Sequence, residues 1–506
     1  MKALVFERSV PRIAAARVLG AVSPGRGTRS GALRLVETDE PDLPAPGWER
    51  VRPLLSGICG SDLSTVDGRA SRWFEPIVSF PFTPGHEIVG LTDAGTRVVV
   101  ESVLGCAARG IHPPCAACAS GDVGRCVNIA FGHLAPGLQT GYCTDTGGGW
   151  GGALVAHESQ LRPVPDTMSD NAAVMVEPTA CAVHGALAAG DLSGAVVAVI
   201  GAGTLGLCTV AALRRLSYPG QLIIGARYPE QRAFAAELGA TTVAAPGELR
   251  RAVRRATRSL VVDDRLADGA DVVIDCVGSE ESLAEALAVV RPRGRVVLVG
   301  MPGHVSIDLT PLWQREVQLV GAYAYGSEGG SGSEGFGGSE GSGGSEGLTD
   351  SDGSSVTETP SPLAGAADDA ADEHGGDASS ETSGASRATV RAEGATPGER
   401  VGGGRRTFDL AMDLVVDAGL DRLVSALYPL ERYAEAIEHA ATAGRRGAIK
   451  VAFDLRRAGR GVPRRDGPGR AAVAAPSAGR PPRGAPTTAR RAGTAATGEA
   501  GGGTFP

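Results

Sequence analysis

The chain has 506 residues, 49 lysines and arginines against 57 aspartates and glutamates, and a formal net charge of −8. That length allows two or three domains, and the acidic balance excludes a nucleic-acid binder held by bulk charge. Lysine occurs only at Lys2 and Lys450, and a bias so strongly towards arginine fits a GC-rich genome better than a polyanion-binding surface.

Met1 to Glu7 alternates enough to predict a first strand. The region to Arg52, rich in proline and glycine with short apolar runs such as Leu33 to Val36, reads as β-rich, barrel-like structure. Glu7, Arg8, Arg12 and Arg17 interrupt the first twenty residues, which therefore lack the unbroken apolar core of a secretory signal; a cytoplasmic location is expected.

Gly57-Ile58-Cys59-Gly60-Ser61-Asp62 and Pro84-Gly85-His86-Glu87 place a thiol and an imidazole 27 residues apart. Catalytic zinc takes three protein ligands and leaves one position open, and Cys59, His86 and Glu177 supply that set. Asp62 is suited to hold the His86 ring in one tautomer, and Glu87 to tune or transiently join the metal.

Nine cysteines include Cys106, Cys115, Cys118 and Cys126 in a Gly/Pro-rich stretch. In a reducing compartment this spacing favours metal over disulfide. Four thiolates would close a tetrahedral, structural zinc site. Cys106 is the first choice for the fourth ligand, with His112 and Cys143 as rivals. His133, His157 and His184 lack spaced partners and read as structural; Trp150, in the glycine run 147–152, suits either a substrate pocket or packing.

Val196 to Ile200 is a β-branched run, followed by Gly201, Gly203 and Gly206 and then by a helical run, Leu205 to Leu213. Strand, Gly-x-Gly-x-x-Gly turn and helix are the order that a dinucleotide site requires, with backbone at Gly201, Gly203, Thr204, Leu205 and Gly206 approaching a pyrophosphate. Gly194 to Leu213 carries no charge over a bilayer-spanning length, but three glycines and a β-branched start argue against a membrane helix. Gln221 to Gly225, Asp271 to Gly278 and Arg295 to Gly300 read as further strands, with a helix over Glu281 to Val290 and a last strand over Leu319 to Tyr325. The class is α/β, a doubly wound parallel sheet beside a β-rich zinc lobe.

From Ser327 to Gly404 the chain holds fifteen acidic residues against three arginines and almost nothing to bury, so disorder is expected. Phe408 to Leu423 and Leu430 to Ala443 have helical spacing, Ala448 to Phe453 reads as a final strand, and the tail from Arg456, with ten arginines and two acids, is again expected to be disordered.

GICGSD, PGHE, the four-cysteine loop, VEP with ACAVH, and VIGAGTLG, in that order, resemble the zinc-dependent medium-chain dehydrogenase/reductase superfamily, the alcohol, sorbitol, threonine and glucose dehydrogenases. The similarity runs from Met1 to about Gly326 and resumes from about Thr407 to Leu455; the Glu-Pro motif resembles the polyol, threonine and glucose branch. The resemblance implies a GroES-like catalytic domain beginning at 1–179, a Rossmann domain at 180–326, an acidic insertion at 327–406, a return to the catalytic domain at 407–455, and a tail at 456–506. It puts Cys59, His86 and Glu177 on catalytic zinc positions, Glu87 beside the metal, and Ser61 on the hydroxyl that relays the substrate proton. Two zinc ions per chain follow.

Where the family has an acidic ribose-binding residue, this chain has Ala226 and then Arg227, which favours a 2′-phosphate; NADP is expected, with NAD as the alternative. Two departures stand out. Ser64 occupies the place where some alcohol dehydrogenases carry a relay histidine, and eight residues separate Cys106 from Cys115 where the family usually has two. The expected protein is a zinc- and NADP-dependent dehydrogenase of an alcohol, polyol or sugar hydroxyl, a homodimer or homotetramer with a small-molecule substrate and no nucleic-acid or membrane partner. The rival is a non-catalytic zinc- and nucleotide-binding sensor or scaffold.

Overall fold

The computed structural model describes residues 1–326 and 405–456; the acidic stretch 327–404 and the tail from 457 lie outside the described residues. In chain order, β1 (Lys2–Phe6) leads into α1 (Val10–Val22), then β2 (Leu33–Glu37), β3 (Trp48–Gly57), α2 (Gly60–Val66), β4 (Ile88–Thr92) and β5 (Arg97–Val100). The short α3 (Ala116–Ala119) carries the cysteine lobe, and β6 (Leu154–His157), β7 (Leu161–Pro163) and α4 (Asp170–Val174) precede the long α5 (Val176–Ala188). Then come β8 (Val196–Ile200), α6 (Thr204–Leu216), β9 (Gln221–Gly225), α7 (Pro229–Glu237), β10 (Thr242–Ala244) and α8 (Leu249–Thr257). A small hairpin, β11 (Val261–Val262) and β12 (Arg265–Leu266), precedes β13 (Ala270–Asp275), α9 (Glu280–Val289), β14 (Val290–Leu298), α10 (Thr310–Gln314) and β15 (Gln318–Gly321). The chain returns with α11 (Thr407–Asp417), β16 (Val424–Tyr428), α12 (Tyr433–Ala441) and β17 (Lys450–Asp454).

Two sheets organise these elements. One runs β16-β17-β3-β4-β5-β7 with β6 also paired to β3, antiparallel throughout except between β16 and β17. The other is parallel throughout, in the order β10-β9-β8-β13-β14-β15. Numbered by chain position, that order is 3-2-1-4-5-6, the doubly wound arrangement whose strand order reverses beside β8. Its central strands are β-branched runs buried on both faces, as a parallel sheet covered by helices demands; Val197, Val199, Val273 and Ile274 are fully buried. The charge-free stretch from Gly194 is thus a strand, a turn and a 13-residue helix, and among the described residues no helix is long and apolar enough to cross a membrane.

Two expectations are corrected and one open alternative is decided. The stretch between β1 and β2 is not all β: it holds the 13-residue α1 and a 3-10 turn at Arg26–Ser30. Alanines at 14, 15 and 16 favour a helix; Ala16 and Gly20 are its buried residues, and Gly20 rests on Asp67, where a Cβ on it would lie 2.7 Å from the aspartate Cβ. Of the two roles left open for Trp150 the structure takes packing: it is fully buried, its Nε1 donates to Gly57 O at 3.1 Å, and it packs edge-on against Phe453. The two helices expected in the closing segment are broken, the first ending at Asp417 before Gly419 at φ +59°, the second preceded by a 3-10 turn at Leu430–Arg432.

The closing segment rejoins without a gap. Thr407 N donates to Gly326 O at 2.9 Å and Gly326 N to Thr407 Oγ1 at 3.0 Å, so the two flanks of the acidic stretch are hydrogen-bonded to each other. Joining two such ends costs a closure entropy that grows only as the logarithm of the intervening chain length.

Candidate functional site

A cleft of about 1840 Å³ is lined by residues of both lobes, including Cys59, Ser61, His86, Glu87 and Glu177 and, on the parallel-sheet side, Gly203, Thr204, Leu205, Gly206 and Arg227. Cys59 caps the start of α2, and Asp62 reaches back to accept its N–H at 3.0 Å, so one helix N-terminus fixes Cys59, Ser61 and Asp62 together. Ser61 Oγ lies 3.4 Å from His86 Nε2, and the other ring nitrogen, Nδ1, lies 3.5 Å from Asp62 Oδ1 without a well-aligned hydrogen bond. Burial works against a charged imidazole at His86, but the Asp62 carboxylate and the Cys59 thiol outweigh it and hold the ring well above its usual range.

Glu177 stands in the first turn of α5, 6% exposed, with the Cys181 thiol one turn on at 3.7 Å from its Oε1. Burial raises its carboxyl to about 7, against the opposing pull of His86. Thiol, imidazole and carboxyl are the donor types that zinc selects, and their burial in the cleft wall fits that ion. Among the described residues the four-cysteine cluster is the only group of three or more such side chains whose ligand atoms all lie within 4.8 Å of one another. The Cys59, His86 and Glu177 set is therefore more open than the cysteine cluster.

Glu87, 1% exposed, forms a buried ion pair with Lys450, whose Nζ also donates to Ile58 O at 3.3 Å. A Cβ at residue 57 would sit 1.9 Å from Glu87 Oε2 and 2.8 Å from Lys450 Cε, which is why GICGSD begins with glycine. Lys450 escaped the sequence reading, although it is one of only two lysines in the chain. Next to it, Ile449 O accepts from Thr204 Oγ1 at 3.2 Å, so the returning segment touches both the glycine loop and the Glu87 carboxylate. Tyr142, also missed, puts its hydroxyl 3.4 Å from Asp62 Oδ1.

On the nucleotide side, Gly201 turns at φ +92°, and a Cβ on Gly206 would meet Gly201 O at 1.8 Å. Only glycine lets α6 start so close to β8. Ala226, at the end of β9, is buried, while Arg227 is exposed on the cleft wall. His184 also lines the cleft, whereas His133 and His157 pack edge-on against Trp48.

In the cysteine lobe, Cys106, Cys115, Cys118 and Cys126 converge, with Sγ–Sγ separations of 3.7 Å for Cys106–Cys126 and 4.0 Å for Cys115–Cys126. Four thiolates around zinc at a bond length of about 2.3 Å lie roughly 3.8 Å apart, so the cluster fits the ion. Asn128 Nδ2 donates to Cys106 Sγ at 3.2 Å, and the Cys115 amide donates to the same sulfur at 3.4 Å. Burial opposes ionisation of Cys115, but the backbone amides of Cys118 and Val127 overcome it and bring the thiol down to about 6. Cys143 is elsewhere, in a small core with Trp48 and Leu104, its thiol pointing to Ala135 O at 3.5 Å; His112 also lies outside the cluster. The long gap after Cys106 is occupied by Arg109, which is fully buried and donates to the carbonyls of Leu104, Phe131, Leu134, Ala135 and Gly137.

Comparisons with known proteins agree with this geometry. A family model described as alcohol dehydrogenase GroES-like domain matches residues 45–166, and one described as zinc-binding dehydrogenase matches 204–332. L-threonine 3-dehydrogenase of Pyrococcus horikoshii is 30% identical over 301 residues, 57% of this chain and 77% of its own. Sorbitol dehydrogenase of Arabidopsis thaliana is 30% identical over 290 residues (54% and 73%), and L-idonate 5-dehydrogenase of Vitis vinifera 28% identical over 295 (54% and 73%). In fold, the chain is similar to a zinc-binding dehydrogenase of Sinorhizobium meliloti 1021 bound to NADP, with a TM-score of 0.52 at 22% identity over 83% of this chain and 95% of that one. A short chain alcohol dehydrogenase of Escherichia coli CFT073 complexed with NADH gives a TM-score of 0.56 at 18% identity, covering 90% and 99%. With ordered motifs, a GroES-like sheet, a 3-2-1-4-5-6 sheet and relatives matched over most of their length, the chain belongs to the zinc-dependent medium-chain dehydrogenase superfamily, in its alcohol and polyol dehydrogenase range.

Proposed function

We propose that this chain transfers hydride between an alcohol, polyol or sugar hydroxyl, or the matching carbonyl, and a nicotinamide dinucleotide, with NADP preferred over NAD. One observation carries the reading: Cys59, Ser61, His86 and Glu177 line the same cleft as the Gly203–Gly206 loop and Arg227. Cys59, His86 and Glu177 would hold a catalytic zinc, and Cys106, Cys115, Cys118 and Cys126 a structural one. When bound, zinc supplies a Lewis acid for the substrate oxygen and the dinucleotide a hydride acceptor or donor.

The chain's own groups do the positioning and the proton work. Ser61 Oγ receives the hydroxyl proton of the substrate and passes one outward, and with Ser64 in place of a histidine the exit runs through water. Asp62 orients the His86 ring from one side while Tyr142 orients Asp62. The Glu87–Lys450 pair fixes a carboxylate beside the donor set. Ala226 leaves space at the ribose, and the Arg227 guanidinium offers a fork for a 2′-phosphate.

Residues 1–179 and 407–455 are assigned to the zinc lobe and 180–326 to the dinucleotide lobe, working in the cytoplasm as a homodimer or homotetramer paired through the outer edge of β15. A fluorescence titration of the zinc-loaded protein with NADPH and NADH, followed by a panel of alcohols, polyols and sugars read at the nicotinamide absorbance, tests the reading. Tighter NADPH binding with turnover supports it. Nucleotide binding without turnover, with one zinc per chain held in the cysteine lobe, would replace it with a non-catalytic zinc- and nucleotide-binding protein.

A further inference from the structure

We infer that the substrate carries an anionic group, a carboxylate or a phosphate, and that Arg17 on α1 binds it at the mouth of the cleft. This rests on the dehydrogenase reading above and narrows its substrate class. In a chain with a net charge of −8, the cleft lining is strongly cationic: seven arginines and Lys450 face three carboxylates, Glu75, Glu87 and Glu177. Most of those cations are committed. Lys450 pairs with Glu87, Arg125 with Asp122, and Arg8 and Arg72 share the single carboxylate of Glu75, each at 3.2 Å. Arg295 binds Gln318 and the Ala188 carbonyl, while Arg227 and Arg445 lie with Tyr228 and Gly444 on the dinucleotide side. Arg17 is exposed on the lining and has no anionic partner among the described residues.

Its position is fixed by the helix that carries it. Asp67, fully buried directly after α2, accepts the amides of Gly25 at 2.9 Å and Gly27 at 3.0 Å, and so clamps the segment after α1 onto α2. Gly68 allows the close approach, since a Cβ there would lie 2.6 Å from Ile13 O and 3.3 Å from Arg17 N. The α2 helix spans seven residues from Gly60 to Val66, about 10 Å at 1.5 Å per residue. Ser61 at its start and Arg17 beyond its end therefore bracket a molecule a few carbons long, hydroxyl at one end and anion at the other. Ile13, beside Arg17 at Gly68, and Leu63 of α2 are also on the cleft lining. An unpaired guanidinium at the mouth of a low-dielectric cleft attracts such an anion and steers it inward.

The test uses the full-length, zinc-loaded protein and matched substrates: a hexitol against its aldonate, and a hexitol against its monophosphate. The wild type is expected to favour one or both anionic members in kcat/KM, and which arm responds distinguishes carboxylate from phosphate. Arg17→Gln should raise KM for the anionic member by roughly tenfold, the usual worth of one hydrogen bond to a charged group, while shifting the neutral member far less. Arg17→Lys should recover part of the preference, and raised salt should weaken the anionic substrate only while Arg17 is present. Arg255→Gln, exposed on α8, should leave the ratio unchanged. Equal losses on both members of a pair, no preference in the wild type, or loss of NADPH affinity in Arg17→Gln would overturn the inference while leaving the dehydrogenase intact. Failure to bind either cofactor and to turn over any member would remove the dehydrogenase reading and the inference with it.

Discussion

The chain gathers sulfur and nitrogen donors in two places, and it treats them differently. In the cysteine lobe the four thiols already stand at zinc-like separations, and backbone amides and Asn128 donate to their sulfurs. In the cleft, Cys59, His86 and Glu177 are held by separate elements, α2, the loop before β4 and α5, and stay further apart. With zinc bound as proposed, the cysteine cluster would be a closed site and the cleft set an open one that admits substrate; the cleft residues are held from behind, by Asp62 on the Cys59 amide and by the Glu87–Lys450 pair, and not by one another.

Breaking the open site should cost function and spare the fold. Cys59→Ser is expected to abolish turnover, a loss beyond the roughly 10–100-fold typical of removing an outer-shell partner, with one zinc per chain lost and NADPH affinity nearly unchanged. Metal analysis beside steady-state rates checks this, and unaltered turnover would remove the catalytic-metal assignment. Breaking the closed site should do the reverse. Cys106→Ser is expected to lose the other zinc and to lose stability, a part of the roughly 10–16 kcal/mol that structural zinc contributes in small peptides, read as a lower melting temperature. Retained zinc stoichiometry in this variant would show that Cys106 is not a ligand.

The third test separates the anchors from the donors. Lys450→Met leaves the Glu87 carboxylate buried without its partner, and breaking such a pair costs about 3–5 kcal/mol. Denaturant unfolding should register that loss, and adding Glu87→Gln should restore much of it. If single and double variants are equally destabilised, the pair is not the anchor that its geometry suggests.

What the sequence revealed about these two regions follows the same division. The four converging cysteines sit within twenty-one residues of chain, so their spacing alone points to them, and Cys106 could be preferred although eight residues separate it from Cys115. Arg109, which fills that gap and ties down five carbonyls, was not legible, because a buried arginine reads like any surface arginine until its acceptors are known. In the cleft, Cys59, His86 and Glu177 were legible through local motifs, whereas Lys450 lies 363 residues from Glu87 and carries no pattern of its own. The parallel sheet was read nearly strand by strand from its β-branched runs. Helix α1 was missed because prolines and glycines on either side resemble turn signals, and the contact that fixes it, Gly20 on Asp67, depends on tertiary packing.

The smallest expected effect lies at the far end of the cleft. Arg227 is exposed, its guanidinium has no acidic partner among the described residues, and the residue before it at the end of β9 is alanine. An aspartate at that point would accept from the ribose hydroxyls and repel a 2′-phosphate. Arg227→Ala should therefore weaken NADPH by roughly tenfold, the worth of one hydrogen bond to a charged group in partial contact with water, and leave NADH almost unmoved. Arg227→Asp should go further and invert the preference, by adding a ribose acceptor and a repulsive charge in one step. Equal weakening of both cofactors by Arg227→Ala would mean that this side chain meets a feature they share, the pyrophosphate or the adenine, and that the preference for NADP must be set elsewhere on the wall, with Arg445 the next cation to replace.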